Sequence, residues 1–112
     1  RYFLRDWDKK TLRQVDVVAG SAFLIRNDVF KKIGGFDENM FLFFEEDDLC
    51  RRVRDLGFSI YINPKAKVLH KWGRDKQDTK EMRRIFSQSR YYYFRKHFGL
   101  FSAIIVQSVI SV

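Results

Sequence analysis

The chain has one cysteine, one proline and two histidines among its 112 residues, and each scarcity removes an option. A lone Cys50 cannot close an intrachain disulfide and accords with a reducing compartment. One cysteine and two histidines cannot build a closed four-ligand zinc site. The uncharged run from Leu100 to Val112 falls short of the roughly 20 residues that a bilayer span requires. No signal peptide, internal repeat or low-complexity segment is visible. The sequence starts at Arg1 and stops within an apolar run, so a piece of something longer is expected.

What is present is aromatic and basic. Twelve Phe and five Tyr favour aromatic pockets and interfaces over an open polar scaffold. A chain of this length makes at most one domain, burying about 65% of its unfolded surface. The net charge of +8 is unevenly spread. Residues 37–48 are acidic, whereas 76–97 carry Lys76, Lys80, Arg83, Arg84, Arg90, Arg95 and Lys96. A basic, aromatic segment suits nucleic acid or an anionic membrane surface. The uncharged stretch that follows favours the membrane surface, and no nucleic-acid partner is expected.

The coarse pattern is an ordered body and a helical tail. Val15 to Arg26 is apolar and β-branched and reads as a buried strand, with a close backbone approach at Gly20-Ser21. Asn27 is placed as the N-cap of a short helix from Asp28 to Ile33, stopped by Gly34-Gly35. After a loop, Glu45 to Leu56 reads as a helix with Leu49, Val53 and Leu56 on one stripe and Gly57 closing it. Phe58 to Ile62 alternates as a strand, Pro64 turns the chain, and Ala66 to His70 forms a second short strand. From about Asp75 to His97 the pattern is helical. The division is 1–75 for the body and 76–112 for the basic tail.

Glu45-Glu46-Asp47-Asp48 places four carboxylates in a row, between an aromatic run and Arg51-Arg52. Acids at a helix start complement the macrodipole, which explains them without any chemistry. A carboxylate at a helix start beside a pocket also serves as a general base.

The order of strand, short helix, Gly-Gly loop, acidic helix, edge strand and His resembles the C-terminal half of the catalytic domain of family-2 glycosyltransferases. It is most similar to the rhamnosyltransferase-like branch that builds surface polysaccharides. The resemblance covers roughly residues 1–98 and rests on several motifs in order. It implies an α/β fold, the C-terminal half of a GT-A (nucleotide-diphospho-sugar transferase) fold with a few short strands, two short helices and a helical tail. It further implies an inverting transfer from a nucleotide-sugar donor to a glycan or lipid-linked acceptor. The place of action would be cytoplasmic, at the inner face of the cell membrane.

Residue by residue, the Glu-Asp-x-Asp-Leu-Cys motif reads Glu45-Glu46-Asp47-Asp48-Leu49-Cys50, with Arg52 following. Its second acid is the family's usual base, here Glu46 in place of the commoner Asp. Asp48 would orient the loop or the acceptor, and Glu45 would support its neighbours. Gly34-Gly35-Phe36-Asp37-Glu38 matches the loop that lines the acceptor side, which assigns Gly35, Phe36, Asp37 and Glu45 to acceptor binding. His70 falls where the family often holds a divalent cation, Mn²⁺ or Mg²⁺, in a His-x-x-Gly-x-Ser pattern. Asp75 stands here at the usual Ser position. Lys71 and Arg74 are diphosphate-side candidates.

Asp6-Trp7-Asp8 fits the Asp-x-Asp pattern of nucleotide and metal binding, but it lies too close to the acid cluster and is read as surface. The nucleotide-binding half is therefore expected to be missing, and the chain alone to be inactive. Strand edges exposed by that loss would favour a homodimer. A membrane-peripheral interaction module using residues 76–112 is the alternative reading.

Overall fold

The computed structural model describes residues 7–70 and 79–110. Helices α1 (Asn27–Lys32), α2 (Glu45–Asp55) and α3 (Lys80–Val109) accompany strands β1 (Arg13–Val15) and β2 (Ile60–Ile62). The architecture is thus mixed, three helices and one small antiparallel ribbon, with α2 packed against β2. Arg13 pairs with Ile62, Gln14 with Tyr61 and Val15 with Ile60.

The expected strand over 15–26 is shorter and earlier than its apolar pattern suggested. A strand exists only beside a neighbour that completes its ladder. Among the described residues β2 offers three positions, so pairing ends at Val15 and 16–26 runs without regular structure. Residues 66–70 likewise form no strand. Leu24 and Leu69 of these stretches are 99% and 91% exposed, while Val17, Val18 and Ile25 are half-buried.

Helix α1 opens on Arg26, not Asn27. Arg26 takes the extended cap conformation, and its guanidinium grips Asp28 through two bonds of 2.6 and 3.1 Å. The helix ends as expected at the glycine pair. Gly35 N–H donates to Phe30 O and Gly34 N–H to Lys31 O, both at 3.1 Å, the paired bonds of a Schellman cap. Both glycines have φ of +77°, which a side chain would make costly.

Helix α2 follows the expected bounds to within a residue. Leu49 and Val53 are buried, while Leu56 serves as the C-cap and is 42% exposed. With Val29, Met40, Cys50 and Ala103, these two side chains form a small core.

Helix α3 begins at Thr79, whose hydroxyl accepts from Met82 N–H at 3.1 Å. It runs well past the expected end near His97, but not straight. Gly99 sits at φ 87°, ψ 169°, a backbone region reserved for glycine, and divides the helix into limbs 80–98 and 100–109. Arg90 donates to Gln107 Oε1 at 3.2 Å and to Ile110 O at 2.7 Å. In a straight helix, side chains 17 positions apart would be about 25 Å apart, so the limbs fold back on each other.

Candidate active site

The acid cluster divides into a wholly buried carboxylate, Asp48, and half-buried neighbours. Asp48, on the first turn of α2, is fully excluded from solvent. Its Oδ2 accepts from Arg52 Nε at 2.7 Å, one helical turn on. Its Oδ1 meets His97 Nε2 and Lys96 Nζ, each at 2.7 Å. Burial alone would raise this carboxyl, but hydrogen bonds from Lys96, His97 and Arg52 outweigh it and hold Asp48 below the ordinary range. Ionised and caged, it cannot approach a substrate.

Two of those partners carry the connection to the Gly-Gly loop. Arg52 also donates from Nη1 to Ile33 O and Gly35 O, each at 2.8 Å. Lys96 Nζ lies 2.7 Å from Asp37 Oδ2, and Tyr92 OH donates to the same oxygen at 3.1 Å. Asp37 Oδ1 accepts from Asn39 N–H and Asn39 Nδ2, which folds the loop tip onto itself. Its burial is outweighed by Lys96 and Asn39, leaving its carboxyl far below the ordinary range. The loop, the acid helix and the tail helix therefore share one ionic network.

Glu46 lies outside that network. It is half-buried at the start of α2, and its Oε1 accepts from Gly20 N–H at 3.3 Å. The backbone thus approaches this carboxylate at Gly20, and a Cβ there would stand in ordinary contact, 3.6 Å from Oε1. Among the described residues Glu46 makes no ion pair. Glu45 lies beside it with Oε2 buried and unpartnered. Desolvation, with the charge of Glu46 adding to it, pushes the Glu45 carboxyl up. Desolvation and Glu46 raise Asp47 as well.

The turn that presents these acids is strained. Phe43 and Phe44 both have positive φ, 68° and 66°, which bulky side chains rarely adopt. Aromatic packing from the tail helix holds them: Phe43 meets Phe86 edge-on at 5.2 Å, and Phe44 lies 5.4 Å from both Phe86 and Tyr93. Ser89 Oγ donates to Leu42 O at 2.8 Å and fixes the same turn.

The structure thus brings Gly35, Asp37 and Asp48 together through shared partners, with Glu45 and Glu46 on the adjoining helix start. Phe36 packs edge-on against Phe23 and Phe30 at 6.1 and 6.0 Å and is partly exposed. His70 is exposed. Lys71 and Arg74 lie outside the described residues. Asp8 accepts from Lys10 N–H, Thr11 N–H and Thr11 Oγ1, consistent with its reading as a surface turn.

Sequence reasoning assigned no site role to Tyr92, Lys96 or His97. The signal was present: Ser89, Tyr92, Tyr93, Lys96 and His97 recur at the spacing of one helix face. No cluster of three or more His, Cys, Asp or Glu side chains fit to hold a metal occurs among the described residues. His70 by itself does not make a cation site.

Comparison with known proteins extends this geometry. The chain is 42% identical over 59 residues to N-acetylglucosaminyl-diphospho-decaprenol L-rhamnosyltransferase from two strains of Mycobacterium tuberculosis. It is 36% identical over 56 residues to Rhamnosyltransferase WbbL from Escherichia coli. These alignments take in 52% and 50% of this chain but only 19% and 21% of the relatives, so the chain spans about a fifth of their length. No family model matches the chain, and no solved structure matches it.

Proposed function

We propose that this chain is the acceptor-side part of an inverting family-2 glycosyltransferase of GT-A fold, acting in surface polysaccharide synthesis. Support comes from the relatives named rhamnosyltransferases and from the partition of the acid cluster. The single observation that carries the mechanism is that Asp48 is caged by Lys96, His97 and Arg52 while half-buried Glu46, at the same helix start, makes no ion pair among the described residues.

Glu46 then acts as general base. It takes the proton of an acceptor hydroxyl as that oxygen attacks the anomeric carbon of a nucleotide sugar. The bond from that carbon to the diphosphate oxygen breaks, and the nucleoside diphosphate leaves with the electron pair. Gly35, Phe36, Asp37 and Glu45 line the acceptor side, and Asp48 positions the loop through Arg52 and Lys96. A divalent cation, Mn²⁺ or Mg²⁺, would stabilise charge on the leaving diphosphate. His70 would hold it only together with ligands beyond the described residues, and Lys71 and Arg74 would face the same diphosphate. The nucleotide-binding part of the donor site would lie in a part of the protein other than this chain.

Nucleoside diphosphate release by the complete gene product, given a sugar-nucleotide panel and a lipid-linked acceptor, tests the reading. Glu46→Gln should lower turnover by a factor of about 10² or more. Unchanged turnover would move the base elsewhere.

A second reading, a membrane-peripheral module built on 76–112, is favoured by one observation. Limb 100–109 exposes Phe101 and Val109 beside a basic limb. No helix among the described residues is long and apolar enough to cross a membrane. Attachment at the cytoplasmic face of the membrane would serve either reading. Flotation with anionic vesicles, unaffected by Glu46→Gln and without transferase activity, would favour the module.

A further inference from the structure

Phe44 is the N-cap of α2, yet it does not take the extended backbone usual at that position. Its φ is 66° and its ψ −2°, and no described side chain caps the helix. Phe43 before it also has positive φ, 68°. Two successive bulky residues in the left-handed region are costly, and persist only where packing over-determines them. Left alone, either would relax to the ordinary negative range, a rotation of roughly 120° about its N–Cα bond. Such a rotation immediately before Glu45-Glu46 would redirect the first turn of α2. It would carry the Glu46 carboxylate away from Gly20 N–H, which it meets at 3.3 Å.

The packing that prevents this comes from one face of α3. Phe86 meets the rings of Phe43 and Phe44 at 5.2 and 5.4 Å, and Tyr93 lies 5.4 Å from Phe44. Buried Ser89 donates from Oγ to Leu42 O at 2.8 Å. Positions 86, 89 and 93 recur at helical spacing and lead on to 96 and 97, which hold Asp48 one turn after Phe44. Phe86 is itself backed by the Arg90 guanidinium, 5.7 Å from its ring centre. Arg90 is buried and tied to the fold-back limb at Gln107 and Ile110. Charge thus anchors Asp48, and aromatic contact anchors the turn before it.

We propose that Phe86, Ser89 and Tyr93 are positioning residues for Glu46: they hold the 42–44 turn in its left-handed form, and that form sets where the Glu46 carboxylate stands. The role of Glu46 as base rests on the transferase reading above, whereas the placement of its carboxylate does not.

Hydrogen exchange and steady-state kinetics on the complete gene product test this together. Exchange at the Gly20 amide reports where the Glu46 carboxylate stands, with or without turnover, and Glu46→Ala is the reference for a lost bond. Phe86→Ala should raise Gly20 exchange to the Glu46→Ala rate. It should also lower kcat for nucleoside diphosphate release by roughly 10-fold, with both KM values nearly constant. Ser89→Ala should move both readouts the same way by a smaller factor, and it carries the test if Phe86→Ala does not fold. A second substitution isolates the backbone. Added to either variant, Phe44→Gly should restore Gly20 protection and part of kcat, because glycine holds positive φ unaided. Phe44→Ala should restore neither. Unchanged Gly20 exchange in the folded variants, a loss that falls on KM instead of kcat, or equal behaviour of the glycine and alanine double variants would overturn the proposal. The two readings fail separately. Raised exchange at Gly20 with turnover unchanged would leave the positioning and remove Glu46 as base. Glu46-dependent turnover with Gly20 exchange indifferent to Phe86→Ala and Ser89→Ala would do the reverse.

Discussion

His97 Nε2 and Asp48 Oδ1, 49 positions apart, lie 2.7 Å from one another with Asp48 wholly buried. The contact seats the tail helix against the acid helix, and Lys96 and Arg52 complete the cage. Desolvating one carboxylate is tolerable here because three donors with cationic capacity meet it.

Replacing Asp48 with Asn removes the charge but keeps the shape. Lys96 and Arg52 would then sit beside a neutral amide, and stability should fall by about 3 kcal/mol. Urea denaturation would read the loss. Its pH dependence carries the sign. The folded-state carboxyl titrates below its ordinary value of 3.8, so the unfolded chain binds more protons between the two. Wild-type stability should therefore drop as pH falls from about 4 toward the lowered value. Asp48→Asn should show a shallower drop, with the slope that remains coming in part from Asp37, which is lowered too.

Glu45 predicts the opposite. Desolvation and neighbouring Glu46 raise its carboxyl above the ordinary 4.5, and its Oε2 is buried without a partner. Ionising it costs folding free energy, so its penalty grows as pH rises from 4.5 through the raised value. Glu45→Gln should raise the denaturation midpoint at pH 7 and leave it nearly unchanged at pH 4. A lower midpoint at pH 7 would show that the carboxylate is stabilised by contacts other than these.

The elements that local sequence determines were legible. Gly34-Gly35 and Gly57 stop α1 and α2 where glycine must adopt positive φ, and the acid-to-base gradient from Glu45 to Arg54 marks α2. What depends on partners was not. The apolar run 15–26 reads as a strand, yet among the described residues no neighbour continues its ladder beyond Val15. The ionic network was hidden for a related reason. Lys96 and His97 look like part of a solvated basic tail until the Gly34–Asp37 loop and α2 are brought against them. Phe43 and Phe44 gave no warning of their backbone strain, because aromatic residues carry no preference for positive φ.

Gly99 separates the two limbs of α3 at a conformation that only glycine tolerates. Gly99→Ala should cost about 1–3 kcal/mol. The loss should appear as a lower melting temperature and as faster amide exchange over 100–109, where Gln107 and Ile110 depend on the fold-back to reach Arg90. A straightened but equally stable helix would leave the melting temperature unchanged and separate those partners.

Lys96 supplies the sharpest test of how the network serves the site. Its Nζ lies 2.7 Å from an oxygen of Asp37 and 2.7 Å from an oxygen of Asp48, so those two carboxylates can stand no further apart than the two bonds together. Lys96→Met keeps the stem and removes the bridge, which sets two anions against each other in a partly desolvated place. Asp37 should swing away, carrying Asn39 with it, and the loop at 34–40 should exchange its amides faster. Stability should fall by about 1–3 kcal/mol, since Lys96 is itself partly exposed. If the bridge holds the acceptor loop, KM for the acceptor should rise by roughly 10-fold while KM for the donor stays constant. Lys96→Arg should restore part of it. A purely structural role would lower the amount of folded protein and leave both KM values untouched.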